Sequence, residues 1–186
     1  MPVDMPTKHG RGPSRGAGDR HPTTVLFVDV VGSTELLAEI GDGRWAVLVE
    51  RFQELFRREL AAAGGEEMDT AGDGLFAIFD DVASALAFAC SLRDLVWTLE
   101  LRLRVGVHTG ACWVAGDKCA GLDVNIGARI VNAAAPNEIL VSAPVRERLL
   151  EKPGGFVFHE RADLELKGVP GRWSVYAVDA EERRFP

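Results

Sequence analysis

Cysteine is scarce in this sequence, and the few copies do not show the spacing of a metal site. The three cysteines are Cys90, Cys112 and Cys119, an odd number without any Cys-x-x-Cys pair. This pattern argues against a disulfide framework and against a structural zinc site. Buried or half-exposed thiols in a reducing compartment are the simpler interpretation.

Long apolar runs and basic clusters are also absent. No hydrophobic stretch approaches the roughly 20 residues that a membrane span needs, and the N-terminus lacks the apolar segment of a secretory signal. We therefore expect a cytoplasmic protein without membrane contact. The formal net charge is −7, and no block of Lys and Arg is longer than a pair. This charge argues against nucleic acid as a partner, but metal ions and a few cationic side chains can still bind a polyphosphate.

The chain of 186 residues has the size of one domain. Residues 1–21 contain Gly, Pro, Arg and His and almost nothing apolar, which predicts a flexible leader without a fold of its own. The globular domain is expected over residues 22–180, followed by a polar C-terminal tail at 181–186.

The first half of the domain is predicted to contain a strand, a helix and a hairpin. Residues 23–30 form a nearly continuous apolar run, typical of a strand buried on both faces. A helix follows, which Ser33 or Thr34 can cap and which residues 41–43 interrupt. It resumes at Trp45 with apolar side chains three and four positions apart on one face. Residues 66–79 predict two strands joined by a tight turn at 71–74.

The second half continues with an amphipathic helix and further short strands. Residues 82–99 predict the helix, and 101–115 predict a hairpin that turns around Thr109 and Gly110. The remaining predictions are a helix at 124–134, a strand at 138–141, a short helix capped by Ser142 and reaching about residue 150, and strands at 156–159, 164–166 and 173–178. This order is the ferredoxin-like, split βαβ pattern of an α+β fold, an antiparallel sheet with flanking helices and appended C-terminal elements.

Two carboxylates indicate a metal site at one end of the predicted sheet. Asp29 ends an apolar strand, where a charge is costly unless it is paired or binds a cation, and Asp73 lies in the turn between two strands expected to neighbour the first. A divalent cation would relieve the repulsion between them. The backbone N–H groups that follow, among them those of Gly32, Ser33 and Thr34, can hold phosphate oxygens at a helix N-terminus. Taken singly, Asp73 also suits an ordinary turn and Asp29 a helix cap.

Five segments of the chain carry motifs whose order is informative. They are FVDVVGST at 27–34, TAGDGLFAIF at 70–79, RVGVHTG at 104–110, DVNIGARI at 123–130 and ELKGVPGRW at 165–173. Together these segments resemble the class III nucleotide cyclases, the family of adenylate and guanylate cyclases. The resemblance extends over nearly all of residues 22–180, and five motifs in order are more specific than any one of them.

The resemblance implies which groups would bind metal. Asp29 and Asp73, together with the backbone carbonyl of Val30, would hold two ions per site, either Mg²⁺ or Mn²⁺. One ion would activate the ribose 3′-hydroxyl, and the other would bind the triphosphate and help to expel pyrophosphate.

The resemblance also implies which residues would bind and process the nucleotide. Asn125 would orient the ribose, and Arg129 would stabilise charge on the α-phosphate as the bond shifts. These two residues are four positions apart on a helix, so both can point into the same cleft. The triphosphate would be held by Gly32, Ser33, Thr34 and Lys167.

The same residues also have simpler interpretations. Arg129 can pair with a surface carboxylate, Asn125 can cap its helix, and Lys167 can be an ordinary loop lysine. In the family, one subunit supplies the metal aspartates and the other supplies the asparagine, arginine and lysine. The resemblance therefore implies a homodimer with two sites and an inactive monomer.

The positions expected to read the base depart from the family pattern. Adenylate cyclases of the family carry a lysine four residues before the second metal aspartate, where this sequence has Asp69. The partner position falls within 116–122, where Asp117 or Lys118 is the candidate. A carboxylate only accepts hydrogen bonds, so Asp69 suits the N–H donors of guanine, but it can also accept from the 6-amino group of adenine. A charge-swapped pair of Asp69 with Lys118 that does not read the base is a further alternative.

The expected function is a metal-dependent nucleotide cyclase for intracellular signalling, with ATP as the family default and GTP also compatible. The alternative is a degenerate homologue that binds nucleotide, or only dimerises, as a regulatory module, and the altered base position favours it. A diguanylate cyclase is disfavoured because the sequence has no GGDEF-like turn. A regulatory protein is a conceivable further partner, which the sequence does not identify.

Overall fold

The computed structural model describes residues 20–116, 118–150, 155–161 and 163–181. Residues 1–19 of the predicted leader and residues 182–186 of the predicted tail lie outside the described residues. Arg20 and His21, which were expected in the leader, instead begin the first strand.

Strands and helices follow one another largely in the predicted order. The strands are β1 (Arg20–Val30), β2 (Glu66–Ala71), β3 (Gly74–Phe79), β4 (Leu103–Ala115), β5 (Lys118–Ala120), β6 (Ile139–Ser142), β7 (Phe156–Glu160), β8 (Leu164–Glu165), β9 (Arg172–Trp173) and β10 (Val175–Ala180). The helices are α1 (Ser33–Ile40), α2 (Asp42–Ala63), α3 (Val82–Leu95), α4 (Leu122–Ala133) and α5 (Ala143–Leu150), with a 3₁₀ turn at Val96–Leu99 after α3.

The central sheet contains the predicted split βαβ core. Strands β2, β3, β1 and β4 lie side by side in that order, each antiparallel to its neighbours. The sheet continues through β6, which is parallel to β4, and then through β10 and β7, which are antiparallel. Strand β5 pairs with the C-terminal end of β4, and β8 with β9 form a separate small sheet. The α+β class with appended C-terminal elements is confirmed, and the β4–β6 pair makes the sheet mixed rather than purely antiparallel.

The two faces of β1 separate the main core from the site described below. Leu26 and Val28 are buried in the core that α2, α3 and α5 share with the sheet. Val25 and Phe27 point to the opposite face, where α4 packs. Because side chains alternate along a strand, Asp29 lies on the α4 face as well.

Helix α4 approaches the sheet closely because glycines lie at two contact points. A Cβ atom on Gly106 of β4 would be 2.4 Å from the backbone nitrogen of Val131. A Cβ atom on Gly127 of α4 would be 2.7 Å from Cγ2 of Val25. No side chain fits in these spaces, so both close approaches depend on glycine. The helix that carries Asn125 and Arg129 is therefore held directly against β1 and β4.

Helix α3 and the following 3₁₀ turn form the most apolar helical segment among the described residues. The 18 residues Val82–Leu99 are long and apolar enough, by length and composition alone, to cross a membrane, although no such run was expected from the sequence. The core helix of a folded domain has the same composition. In this fold α3 buries seven of its side chains, and they lie in the core shared with the sheet.

The hairpin predicted around Thr109 and Gly110 is wrong. Strand β4 runs without a break through both residues and pairs with β1 from the Trp113–Arg20 pair to the Leu103–Val30 pair. Thr109 is buried, and its hydroxyl accepts a hydrogen bond from the Thr24 hydroxyl at 3.4 Å. The chain instead turns after β4, where Gly116 has a φ of 59°.

Two predicted helix caps are not formed by the expected side chains. Gly32, with a left-handed φ of 69°, precedes α1 without a side-chain cap, and Ser33 and Thr34 lie inside the first turn. Ser142 ends β6, and its hydroxyl lies 2.7 Å from Nδ1 of His108. The strand predicted at 173–178 is divided, because β9 ends at Trp173 and β10 begins at Val175.

Cys90, Cys112 and Cys119 are all thiols rather than disulfides. Cys90 and Cys112 are buried, and Cys119 is half-buried. A hydrogen bond with Cys119, together with burial, raises the pKa of the Cys112 thiol. Cys112 therefore remains protonated at neutral pH and behaves as a small apolar side chain.

Candidate active site

Asp29 lies at the C-terminal end of β1, directly opposite a cation. It pairs in register with Arg104 of β4, and the Arg104 guanidinium donates a hydrogen bond to Oδ2 of Asp29. The Asp29 side chain is 31% exposed, so one side of the carboxylate is open to solvent. Val30 follows as the last residue of β1, with its side chain in the core.

Asp73 lies in the β2–β3 turn, at the same end of the sheet. The last registered pair of β1 with β3 is Val28 with Leu75, so Asp29 and Asp73 both lie just beyond it. One Asp73 oxygen, Oδ2, is buried without a hydrogen-bond partner. A buried carboxylate oxygen without a partner is costly, and a divalent cation would satisfy it.

These residues fit the metal site that the sequence predicts. No group of three or more His, Cys, Asp or Glu side chains suited to a metal occurs within the described part of the chain. Asp29 and Asp73 are the acidic ligands that the resemblance implies, and further oxygens would come from the backbone, water and the phosphates of a nucleotide. Hard oxygen donors of this kind suit Mg²⁺ or Mn²⁺.

The backbone turns sharply between β1 and α1, where a phosphate site is predicted. Gly32 adopts the left-handed conformation and its carbonyl accepts from the Leu36 N–H at 2.9 Å, which starts the helix. The N–H groups of the first turn, including those of Ser33 and Thr34, have no partner within the helix. Together with the helix dipole, they favour an anion three to five residues after Asp29.

A cavity of about 260 Å³ opens between β1, β2, β3 and α4. Two carboxylates, Asp29 and Asp69, line it, and the stacked rings of Phe27 and Phe76 form one wall, with centroids 4.4 Å apart. The remaining lining residues are Val28, Gly74, Leu75, Ala128, Val131 and Asn132. The cavity thus combines an apolar surface, suited to a base or a ribose, with acidic groups at its edge.

The second set of predicted residues gathers on α4 and on the β8–β9 segment. Asn125 and Arg129 are both exposed, on one face of α4 as their spacing predicts. The Arg129 Nε donates to the backbone carbonyl of Lys167 at 3.2 Å, so these two cationic residues are neighbours. Asn125, Arg129 and Lys167 are not among the described residues that line the Asp29 cavity. One chain therefore presents the predicted site residues in two separate groups.

The predicted base-reading residues lie far apart within one chain. Asp69 is exposed on β2, and Oδ1 of its carboxylate accepts from the Thr70 N–H at 2.8 Å. Lys118 is exposed on β5, and Asp117 lies outside the described residues. Strands β3, β1 and β4 separate β2 from β5, which is roughly 19 Å at strand spacing. A charge-swapped pair of Asp69 with Lys118 is therefore impossible inside one chain and needs a second copy.

Two features are apparent only from the structure, namely the ion pair of Arg104 and the buried polar partners of His108. Arg104 is recognisable only once β4 is paired with β1, because the register places it opposite Asp29. His108 contacts the Ser142 hydroxyl through Nδ1 at 2.7 Å and the Asp123 carboxylate through Nε2 at 3.0 Å. Burial lowers the pKa of His108, although the Asp123 carboxylate opposes this shift. These partners come from distant parts of the chain, so spacing gives no signal for them.

Known proteins provide an independent comparison. A family model described as the adenylate and guanylate cyclase catalytic domain matches residues 17–180. An adenylate cyclase of Streptomyces coelicolor is 30% identical over 128 residues, which cover 68% of this chain. The chain spans only about a third of that relative, 34% of its length.

Solved structures show the same fold. The adenylyl cyclase CyaB from P. aeruginosa superimposes with a TM-score of 0.80 at 22% identity, covering 90% of this chain and 98% of that one. The guanylate cyclase domain of RhGC from Catenaria anguillulae, in complex with GTP, gives a TM-score of 0.77 at 20% identity, covering 87% and 97%.

Proposed function

This chain belongs to the adenylate and guanylate cyclase catalytic domain family, and on that premise we propose that it converts a nucleoside triphosphate into the 3′,5′-cyclic monophosphate and pyrophosphate. The observation that carries the proposal is the unpartnered, buried oxygen of Asp73, in a turn at the same end of the sheet as Asp29 and the start of α1. A turn role alone gives that oxygen no partner. A role in holding a cation explains it.

Asp29, Asp73 and the carbonyl of Val30 would hold the divalent cations, Mg²⁺ or Mn²⁺, two per site. When bound, these ions supply a polarised ribose 3′-hydroxyl and charge compensation on the triphosphate. Arg104 keeps the Asp29 carboxylate oriented toward β4 and lowers the net negative charge of the site. The N–H groups of Gly32, Ser33 and Thr34 would then bind phosphate oxygens beside these carboxylates.

The remaining groups would come from a second copy of the chain. Asn125 would orient the ribose, Arg129 would stabilise charge on the α-phosphate, and Lys167 would hold the terminal phosphates. The exposure of Asn125 and Arg129, and their absence from the described lining of the Asp29 cavity, support this division. A two-fold symmetric homodimer would carry two such sites. A monomer would lack half of each site.

Asp69 would face the base from the cavity that it shares with Asp29. Its carboxylate can accept from the N1–H and N2–H₂ groups of guanine or from the 6-amino group of adenine. We take ATP as the favoured substrate because it is the family default, with GTP as the second. We place the activity in the cytoplasm, in intracellular signalling.

A regulatory module that binds nucleotide without turning it over is the second candidate. The observation that favours it is Asp69, an acidic residue where adenylate cyclases of the family carry a lysine. The retention of Asp29, Asp73, Asn125 and Arg129 argues for the enzyme instead.

The deciding experiment is incubation of the purified protein with Mn²⁺ or Mg²⁺ and either ATP or GTP, followed by product identification by mass. Cyclic AMP or cyclic GMP is the expected product, and its identity establishes which base Asp69 accepts. A dimeric protein that binds nucleotide but makes no cyclic product from either substrate would instead be the regulatory module.

A further inference from the structure

His108 is a buried histidine at the meeting point of four structural elements. It lies in the middle of β4 and is 1% exposed. Its ring nitrogens contact Ser142 of β6 and Asp123 of α4, and its ring meets Trp173 of β9 edge to face, with centroids 5.7 Å apart. Because it is buried, His108 has no access to a nucleotide and is not a catalytic residue.

The hydrogen bonds of His108 determine which ring nitrogen carries the proton and how the ring is oriented. A carboxylate can only accept, so Nε2 donates to Oδ1 of Asp123. In the neutral ring Nδ1 is then an acceptor, and the Ser142 hydroxyl donates to it. The imidazole is thereby held between β6 on one side and the first turn of α4 on the other.

The Asp123 side chain is held in place from three sides. His108 donates to Oδ1 at 3.0 Å, and Arg20 of β1 approaches Oδ2 at 3.5 Å. A Cβ atom on Gly110 would lie 2.3 Å from Cγ of Asp123, so the carboxylate lies flat against the β4 backbone. Asp123 therefore anchors the start of α4 two residues before Asn125.

Trp173 extends the same anchor to the segment that carries Lys167. Its indole nitrogen donates to the carbonyl of Pro170 at 3.1 Å. Leu166 and Val169 of the same segment pack with Ile126 in a small core cluster that Trp173 borders. The α4 helix and the β8–β9 segment therefore pack against each other, and His108 contacts both of them through Asp123 and Trp173.

We propose that His108 is a positioning residue for cyclisation: through Asp123 and Trp173 it holds Asn125, Arg129 and Lys167 in one fixed arrangement. The inference rests on the proposed function, because these residues act only if the chain is a cyclase. A displacement of about 1 Å of such groups lowers turnover on the order of a hundredfold.

Two substitutions of His108 separate its contacts. In His108→Asn the short amide can still reach Ser142 but not Asp123, whereas in His108→Gln the longer amide can donate to Asp123 and loses Ser142. We expect His108→Asn to lower kcat by at least about tenfold with a small change in KM, because Asn125 and Arg129 act on the transition state. We expect His108→Gln to lose less activity, about threefold, because the contact to Asp123 is retained although the ring contact with Trp173 is lost.

The matched control is His159→Asn on β7, where the exposed histidine faces Asp179 at 3.8 Å. It should leave kcat and KM unchanged. The metal concentration for half-maximal activity should stay the same in all three variants, because Asp29 and Asp73 are untouched. Thermal unfolding and the mass of the dimer would be measured for each protein.

A mixed-dimer assay tests whether the defect lies in the α4 half of the site. His108→Asn mixed with Asp73→Ala should regain roughly a quarter of wild-type activity, because half of the randomly formed dimers contain one complete site out of two. A mixture of His108→Asn and Arg129→Ala should regain no activity. Recovery in the second mixture, or none in the first from folded dimers, contradicts the proposal.

Several outcomes overturn the inference. Unchanged kcat in folded His108→Asn does so, and so does an equal loss in His108→Asn and His108→Gln, which would indicate general damage to the core. If His108→Asn does not fold, Asp123→Ala replaces it, since the Asp123 side chain is 20% exposed, and unchanged kcat there is equally decisive. A wild-type protein that forms no cyclic nucleotide overturns the proposed function instead, which the product assay reveals separately.

Discussion

At the scale of single residues, Asp29 and Asp73 have opposite surroundings although they are proposed to share a role. Asp29 is paired with Arg104, whereas Oδ2 of Asp73 is buried without a partner. A carboxylate with an unsatisfied oxygen gains more from a cation than one that is already paired. Asp73 is therefore the more sensitive residue for testing the metal site.

His108 is the single residue for which we expect the clearest effect of pH on folding stability. Burial lowers the pKa of His108 in the folded protein below the ordinary value of about 6.5, while the nearby Asp123 opposes the shift and Arg20 faces Asp123. The unfolded chain therefore binds more protons between these two pKa values. The contribution of His108 to stability is full above pH 6.5 and is lost as the pH falls through the folded pKa.

The measurement is urea denaturation of the wild type and of His108→Gln between about pH 5 and 8. The free energy of unfolding of the wild type should fall more steeply below about pH 6.5 than that of the variant. Carboxylates away from His108 affect both proteins equally, and glutamine keeps a donor to Asp123, so the difference between the two curves reports on His108. Parallel curves would show that the pKa of His108 is not lowered by folding.

At the scale of helices and strands, the position of α4 depends on residues whose role cannot be predicted from local sequence patterns. The apolar spacing predicts the helix, and the alternation along β1 predicts that Asp29 shares a face with Val25. Neither pattern predicts which face α4 covers or how closely it packs. That information lies in Gly106 and Gly127, whose missing side chains matter only once the two elements meet.

The error at Gly110 has the same physical origin. A glycine after a threonine resembles a turn, and local propensity predicts a hairpin there. In the fold, Gly110 is a strand residue that leaves room for the Asp123 side chain, a contact across 13 positions. The motif at 27–34 was easier, because a strand end, a glycine and a helix start are all local features. Features set by neighbouring residues could be predicted, whereas the space that a glycine leaves for a distant side chain could not.

Substitution of Gly127 by alanine tests the close contact of α4 with β1. The added methyl group would overlap Cγ2 of Val25 at 2.7 Å. Overpacking of this kind costs about 1–3 kcal/mol, which exceeds the gain of up to about 1 kcal/mol from better helix propensity. We expect Gly127→Ala to unfold at lower urea concentration and to have lower activity, because α4 is displaced.

Gly43→Ala is the matched control. Gly43 lies in α2 with no atom within 4 Å of an added Cβ, so only the propensity term applies. The free energy of unfolding of Gly43→Ala should rise by up to about 1 kcal/mol. Equal stability of the two variants would mean that α4 does not need the space at Gly127.

At the scale of the whole molecule, the two groups of predicted site residues support the proposal that one copy is insufficient. The cavity beside Asp29 holds Asp69, whereas Arg129 lies with Lys167. Asp69 and Lys118 are on strands near opposite sides of the antiparallel core. A two-fold axis would bring the missing groups of one copy to the cavity of the other.

Complementation measures this division directly. Asp73→Ala and Arg129→Ala should each be inactive, and an equimolar mixture should regain roughly a quarter of wild-type activity, because only mixed dimers contain one complete site. The measurement is cyclic nucleotide formed after mixing and re-equilibration of the dimers. An inactive mixture that contains mixed dimers by mass would show that both residues act within the same chain.

Strand β4 has one row of residues that faces α4, and it joins the two groups. Arg104 at one end contacts Asp29, and His108 contacts Asp123 at roughly 13 Å along the strand. In the proposed dimer each β4 would therefore touch the metal half of one site and the α4 half of the other. Any coupling between the two nucleotide sites would therefore pass along β4, and it would change both affinities by the same factor.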